Sequence, residues 1–263
     1  MSQAAQPVDT HMIVTDEAGL DAGEVFVESL RFRVPVYFAR PSASIAPPVI
    51  LVISEVFGVH AHIADVCRRF AKLGFFAVAA DLFARQGDAS SYESLPDLMR
   101  EVVSKVKDAD VMSDLDALVN WAGEQGGDLD RLSVTGFCWG GRITWLYCVH
   151  NPRIKAGVAW YGRLAGDTSD ATPEHPVSLV RGLQAPVLGL YAGQDPVVPT
   201  EAREATLSEL AKGSEAARAS QIIVYPEAGH AFFADYRASY REDDARDGWN
   251  RCLKWLAAHG VAP

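Results

Sequence analysis

Cysteine is scarce in this chain of 263 residues. The four present, Cys67, Cys138, Cys148 and Cys252, lie far apart and match no zinc spacing, so reduced thiols in a cytoplasmic protein are expected. Basic residues are outnumbered as well, 24 Lys and Arg against 34 Asp and Glu, and the formal net charge of -10 excludes a surface built to hold phosphate backbones or anionic membranes. A run of about 18 uncharged apolar residues is missing, which argues against a membrane-spanning helix. The opening MSQAAQPVDTHMIV has no basic start followed by an apolar core, so no secretory signal is read there. Nor is there an internal repeat, a low-complexity tract or an interdomain linker, so residues 1–263 are expected to form one domain, with 1–22 as an N-terminal arm.

What the chain does have is a content of hydrophobic residues, 49%, sufficient for a full core. After the polar arm, GEVFVESLRFRVPVYFARP alternates apolar and polar residues, which predicts half-exposed antiparallel strands at a sheet edge. From Pro47 the pattern changes. PPVILVISE, FFAVAADLF, RLSVTGFC, IKAGVAWYG, APVLGLYAG and QIIVYPEAG are short, nearly continuous apolar runs, as expected of parallel strands buried on both faces. Between them IADVCRRFAKLG, DADVMSDLDALVNWAGEQ, RITWLYCVH, EAREATLSELAKG and DGWNRCLKWLAAH carry helical spacing. The alternation predicts an α/β architecture, a mostly parallel twisted sheet of about eight strands with helices on both faces. The stretch from Arg163 to Arg181, rich in Gly, Thr, Ser, Pro and Asp, reads as a long loop and a candidate cover for the site.

The sharpest local signal is VTGFCWGGR, in which a strand runs into Cys138 and then into a helix through Gly136, Gly140 and Gly141. A nucleophile elbow needs small residues two before and two after the nucleophile, because the tight turn presses strand against helix while lifting the side chain. A helix N-terminus also favours the thiolate, and it aims the backbone N–H of Trp139 at a developing oxyanion. Cys138 is therefore the candidate nucleophile, in preference to a buried filler; Cys67, Cys148 and Cys252, each inside an amphipathic helix, are expected in the core. The elbow predicts its partners in chain order. Asp195 follows APVLGLYAG in GQDPVVP, and His230 follows QIIVYPEAG in GHAFF, each beyond the carboxyl end of a strand. His230 would take and return the thiol proton while Asp195 holds the imidazole in the useful tautomer. The remaining histidines are expected in exposed polar roles: His11 in the arm, His150 and His259 at helix ends, His175 in the long loop. His60 and His62 form an H-x-H pair read as a solvated helix start, since no third metal ligand has suitable spacing.

From about Pro47 onward the chain resembles the dienelactone hydrolases, also called carboxymethylenebutenolidases. The marks are ISEVFGV with Glu55, ADLFARQG with Arg85, GFCWGG with Cys138, GQD with Asp195 and AGHAFF with His230. The resemblance implies an α/β-hydrolase fold, a Cys138, His230, Asp195 triad, and an oxyanion hole from the backbone N–H groups of Val56 and Trp139. It also implies that Glu55 pairs with the resting thiol until substrate displaces it, and that Arg85 binds the substrate carboxylate. A carboxylate directly after a buried apolar run needs a partner in any case. Where members of the family carry a second carboxylate-binding arginine, four residues after the histidine, this chain has Ala234, with Arg237 nearby in a different place. The expected activity is hydrolysis of a small carboxylate-bearing lactone, without metal or cofactor, by a monomer or small homo-oligomer. The alternatives are a broad-specificity esterase or thioesterase, which the missing arginine favours, and a silent ligand-binding scaffold on the same fold.

Overall fold

In the computed structural model, which describes residues 12–263, eight strands form one sheet in the order β1-β2-β4-β3-β5-β6-β7-β8. The edge is the hairpin of β1 (Leu20–Ser29) and β2 (Phe32–Pro41), antiparallel to each other, with β2 joined antiparallel to β4 (Phe76–Ala80). Its two-residue turn places Leu30 and Arg31 at φ 49° and 62°, the left-handed conformation whose twist matches the flanking strands. Alternation in β2 turns Val34 and Val36 inward, while Phe26 of β1 remains 56% exposed. His11 and the opening of the arm fall outside the described residues, and the arm ends slightly earlier than expected, at Leu20.

The strands β3 (Pro48–Ile53), β5 (Asp128–Phe137), β6 (Ala156–Trp160), β7 (Val187–Ala192) and β8 (Gln221–Tyr225) run parallel with β4. Every residue of β3, β4, β6 and β7 is buried, because helices cover both faces. The last strand departs from expectation. The apolar run predicts QIIVY buried on both faces, yet among the described residues β8 pairs only with β7 and leaves Gln221 and Val224 exposed, because it closes the sheet as its other edge.

The helix α1 (Ala61–Lys72) buries Ile63, Val66, Cys67 and Phe70 at the spacing of one helical face. Phe70 meets Trp249 of the C-terminal helix α8 (Glu242–Ala258) at 4.5 Å between ring centroids, so these two helices share one face of the sheet. On the other face lie α3 (Asp108–Glu124) and α4 (Trp139–His150), in contact with each other. Shorter helices fill the connections: α2 (Leu95–Glu101), α5 (Pro176–Leu179) inside the long loop, α6 (Thr200–Leu210) and α7 (Glu215–Ala219). The register sets the site: Ile53 pairs with Gly136 and Phe137 with Trp160, so β3, β5 and β6 end side by side and release Glu55, Cys138 and Tyr161 at the same rim. No helix among the described residues is long and apolar enough to cross a membrane.

Candidate active site

Cys138 is the N-cap of α4 and is held at φ 55°, ψ -112°, a conformation that costs a non-glycine residue energy and persists only where the surroundings enforce it. The enforcement is visible. Cys138 N–H donates to the carbonyl of Trp160 at 3.0 Å, and Gly140 N–H donates to that of Ser54 at 3.1 Å, which ties the elbow to β6 and β3. A Cβ on Gly136 would fall 2.2 Å from the carbonyl oxygen of Gly140, and one on Gly140 would fall 2.3 Å from that of Ile53. Only hydrogen at these positions lets strand and helix approach so closely.

Two loops deliver the other members. Beyond β7, Gly193 N–H and Gln194 N–H donate to the carbonyls of Tyr225 and Ala228 at 2.8 and 2.9 Å, which locks the loop carrying Asp195 to the loop carrying His230. Asp195 Oδ2 is 2.8 Å from His230 Nδ1, and His230 Nε2 is 3.1 Å from Cys138 Sγ. The other Asp195 oxygen accepts from Val197 N–H at 2.8 Å, so the buried carboxylate is satisfied and oriented. Burial opposes a charged His230, but the hydrogen bonds and charges of Asp195 and Cys138 outweigh it and raise the imidazole to about 10. The three other thiols are fully buried, and burial pushes each of them up, away from the reactive thiolate.

These groups open into a cavity of about 470 Å³. Cys138 and His230 line it with Glu55, Val56 and Trp139; Phe57, Leu95, Met99, Val103 and Val197 make its apolar wall. The long loop contributes Arg163, Asp167, Ser169, Thr172 and His175, and Arg237 also lines the cavity, its guanidinium 5.7 Å from the ring of Phe57. The loop is anchored by Arg142 of α4, which donates to both oxygens of Asp108 at 2.7 and 2.6 Å and to the Glu174 carbonyl at 2.7 Å.

Four expectations need correction. Arg85 does not line the cavity: it donates to Asp114 Oδ1 of α3 at 2.7 Å and lies 4.8 Å from the ring of Phe32, because Asp114 is buried and requires a cation. His175 is buried, within 2.9 Å of the Asp167 carbonyl and 3.3 Å of Arg142, since the loop folds inward over α4. His60 and His62 are not a solvated helix start. His62 is 2% exposed with Nδ1 3.0 Å from Asp235 Oδ1, and His60 Nε2 lies 3.1 Å from Glu55 Oε2. Glu55 accordingly pairs here with His60, while Cys138 pairs with His230. Burial alone would raise Glu55, but the hydrogen bond from His60 and the charges of His60 and His62 bring it down to about 2. Among the described residues no cluster of three or more His, Cys, Asp or Glu is arranged to hold a metal.

Sequence reasoning missed Arg163 and Tyr161. Both follow β6 directly, and a position just beyond the carboxyl end of a parallel strand was the available signal.

A family model described as "Dienelactone hydrolase family" matches residues 34–260. The "Putative carboxymethylenebutenolidase" of Methylorubrum extorquens is 53% identical over 262 residues, covering 98% of this chain and 89% of its own. A protein of the same name from Salmonella typhi is 50% identical over 258 residues, covering 98% and 94%. A solved "Putative Dienelactone Hydrolase" from Klebsiella pneumoniae superposes with a TM-score of 0.87 at 51% identity, over 90% of this chain and 98% of that one.

Proposed function

Because the chain belongs to the dienelactone hydrolase family, whose chemistry is hydrolysis of the ester or lactone type, we propose that it opens a small carboxylate-bearing lactone through a Cys138, His230, Asp195 triad. The observation that carries this reading is the unbroken line of hydrogen bonds from Asp195 Oδ2 through His230 to Cys138 Sγ, 2.8 and 3.1 Å, at the mouth of a cavity. His230 Nε2 takes the proton from Sγ, and the thiolate attacks the lactone carbonyl carbon. The oxyanion is received by the backbone N–H groups of Val56 and Trp139, at the end of β3 and the start of α4. The ring C–O bond breaks, and the leaving oxygen takes the proton from His230. Water, giving its own proton to His230, then releases the acid from the thioester, and the thiol is restored.

With Arg85 committed to Asp114, carboxylate recognition passes to Arg163 and Arg237, whose side chains line the cavity. That displacement, together with Ala234, also supports the second reading, a broad esterase or thioesterase whose apolar wall accepts neutral substrates. Steady-state hydrolysis of an acidic dienelactone, a neutral lactone and p-nitrophenyl acetate separates the two. Under the first reading turnover favours the acid, is abolished by Cys138→Ala and survives Cys252→Ala. Equal rates on all three substrates would move the assignment to the broad esterase, and equal loss in both cysteine variants would refute the triad.

A further inference from the structure

The helix α2 begins after Ser94, whose hydroxyl accepts from Asp97 N–H, and has Pro96 in its first turn. Its seven residues are too few to hold a helix by propensity, so its side chains must fix it to what surrounds it. Leu98 does so on the core side, where it is fully buried. On the solvent side Arg100 donates to Asp97 and Glu101 at 2.5 and 2.9 Å, and Lys105 donates to Glu101 at 3.0 Å. Leu95 and Met99 belong to neither set. Four residues apart, they are neighbours on one helical face, yet they remain 38% and 40% exposed. Scattered exposed apolar side chains need no explanation, and this chain has others, such as Phe26, Ile45 and Leu207. The place of these two does need one. Of the exposed large apolar side chains among the described residues, Leu95 and Met99 alone line the cavity that holds Cys138 and His230. Phe57, Val103 and Val197 extend their wall, and the cavity of about 470 Å³ is of the size that encloses a drug-sized ligand, more than one lactone ring fills.

We propose that the substrate is an ester or lactone carrying a hydrocarbon arm of several carbons, and that Leu95 and Met99 are the specificity-determining residues that receive this arm. The proposal rests on the reading of Cys138 as the nucleophile of an ester or lactone hydrolase. It names the occupant of the half-exposed face of α2 because that face opens into the same space as the thiol: a carbonyl seated at Sγ leaves the remainder of its molecule in the cavity, against Leu95 and Met99. Closing over an arm removes both side chains from water, and the gain grows with each methylene covered. Methionine is unbranched and adapts to irregular shapes, so Met99 suits a preference for apolar length over one particular outline. The arm takes no part in the bond changes. Its binding energy, realised away from the reacting carbonyl, is read in kcat/KM.

The test is the dependence of kcat/KM on chain length in two series, p-nitrophenyl esters from acetate to octanoate, with the arm on the acyl side, and γ-alkyl lactones from methyl to heptyl, with the arm on the side of the leaving oxygen. In wild type, kcat/KM rises about threefold per methylene in at least one series until the wall is covered. In Leu95→Gln/Met99→Gln that rise flattens to less than about 1.5-fold per methylene. Glutamine is a good helix former and both positions are half-exposed, so the variant folds; far-ultraviolet circular dichroism and Tm verify this. Because the readout is the ratio of long to short substrates within one enzyme, a general loss of activity does not imitate it. Leu207→Gln on α6, an equally exposed position outside the cavity, keeps the wild-type slope. The proposal is overturned if both series are flat in wild type, which would leave the α2 face to some other partner, or if the double variant keeps the wild-type slope. Failure of the nucleophile reading would look different, as hydrolysis at every chain length that persists in Cys138→Ala.

Discussion

Gly140→Ala is a one-carbon change whose consequences follow from two distances. The added Cβ falls 2.3 Å from the carbonyl oxygen of Ile53 and 2.6 Å from that of Ser54. Both contacts are backbone, so no side chain can rotate away, and reaching 3.0 Å from Ile53 requires β3 and α4 to separate by about 0.7 Å. That movement lengthens the Gly140 to Ser54 hydrogen bond and shifts Cys138 against the Val56 N–H and against His230. Overpacking of this kind costs about 1–3 kcal/mol. For a chain of this size that is a fall in Tm of about 2–10 °C. Misplacing a nucleophile by somewhat less than 1 Å costs on the order of 10²-fold in kcat. Calorimetry and steady-state kinetics on the same preparation read both effects, with Gly23→Ala as the control, since its Cβ meets only Phe38 at 3.8 Å. Helix propensity alone would make Gly140→Ala more stable by about 1 kcal/mol. A variant as stable as wild type and fully active would therefore show that the close approach of strand and helix does not organise this site.

Arg85→Ala should lower stability by about 1–3 kcal/mol, read as a fall in Tm, because it strands the buried Asp114, and should leave KM for an acidic lactone unchanged; a large rise in KM would return Arg85 to the substrate. Arg163→Ala, by contrast, should raise that KM about tenfold or more and leave neutral esters untouched. Asp195→Asn should reduce kcat on the order of 10³-fold or more with KM little changed, by favouring the wrong His230 tautomer; activity near wild type would remove Asp195 from the mechanism. The folded His230 is raised from 6.5 to about 10, so its contribution to stability is full below pH 6.5 and is lost as pH rises toward 10. Urea midpoints of wild type should therefore fall across that window relative to His230→Ala, and parallel curves would contradict the shift.

How much was legible beforehand can be judged residue by residue. The strands β3 to β7 announced themselves as short apolar runs, because a strand covered on both faces has no polar side to show. The elbow is equally plain: the carbonyl of Gly140 excludes a Cβ at Gly136, a local demand that leaves a local mark. Asp195 and His230 could be picked out because each sits at a strand end, and parallel strands bring their carboxyl ends to one rim regardless of side-chain detail. These features depend on neighbours within a few positions along the chain.

Partner choice for long polar side chains depends on groups that are distant in sequence. Arg85 had two possible destinations, the cavity or the protein, and Asp114, 29 residues away, decided between them. His62 reads as an exposed helix start until Asp235, 173 residues on, is packed against it. His175 lies in a polar loop yet is drawn under Arg142, and β8 reads like an interior strand although nothing pairs with its outer edge among the described residues. Glu55 shows the division within one segment. Its place after β3 follows from the local sequence, and His60 lies only five residues beyond it. The His60 ring becomes a fixed partner because Tyr236, His62 and Asp235 converge on it from distant parts of the chain. The backbone path is set by short-range sterics and periodicity, whereas a buried charge takes the counter-group that the assembled core leaves within reach.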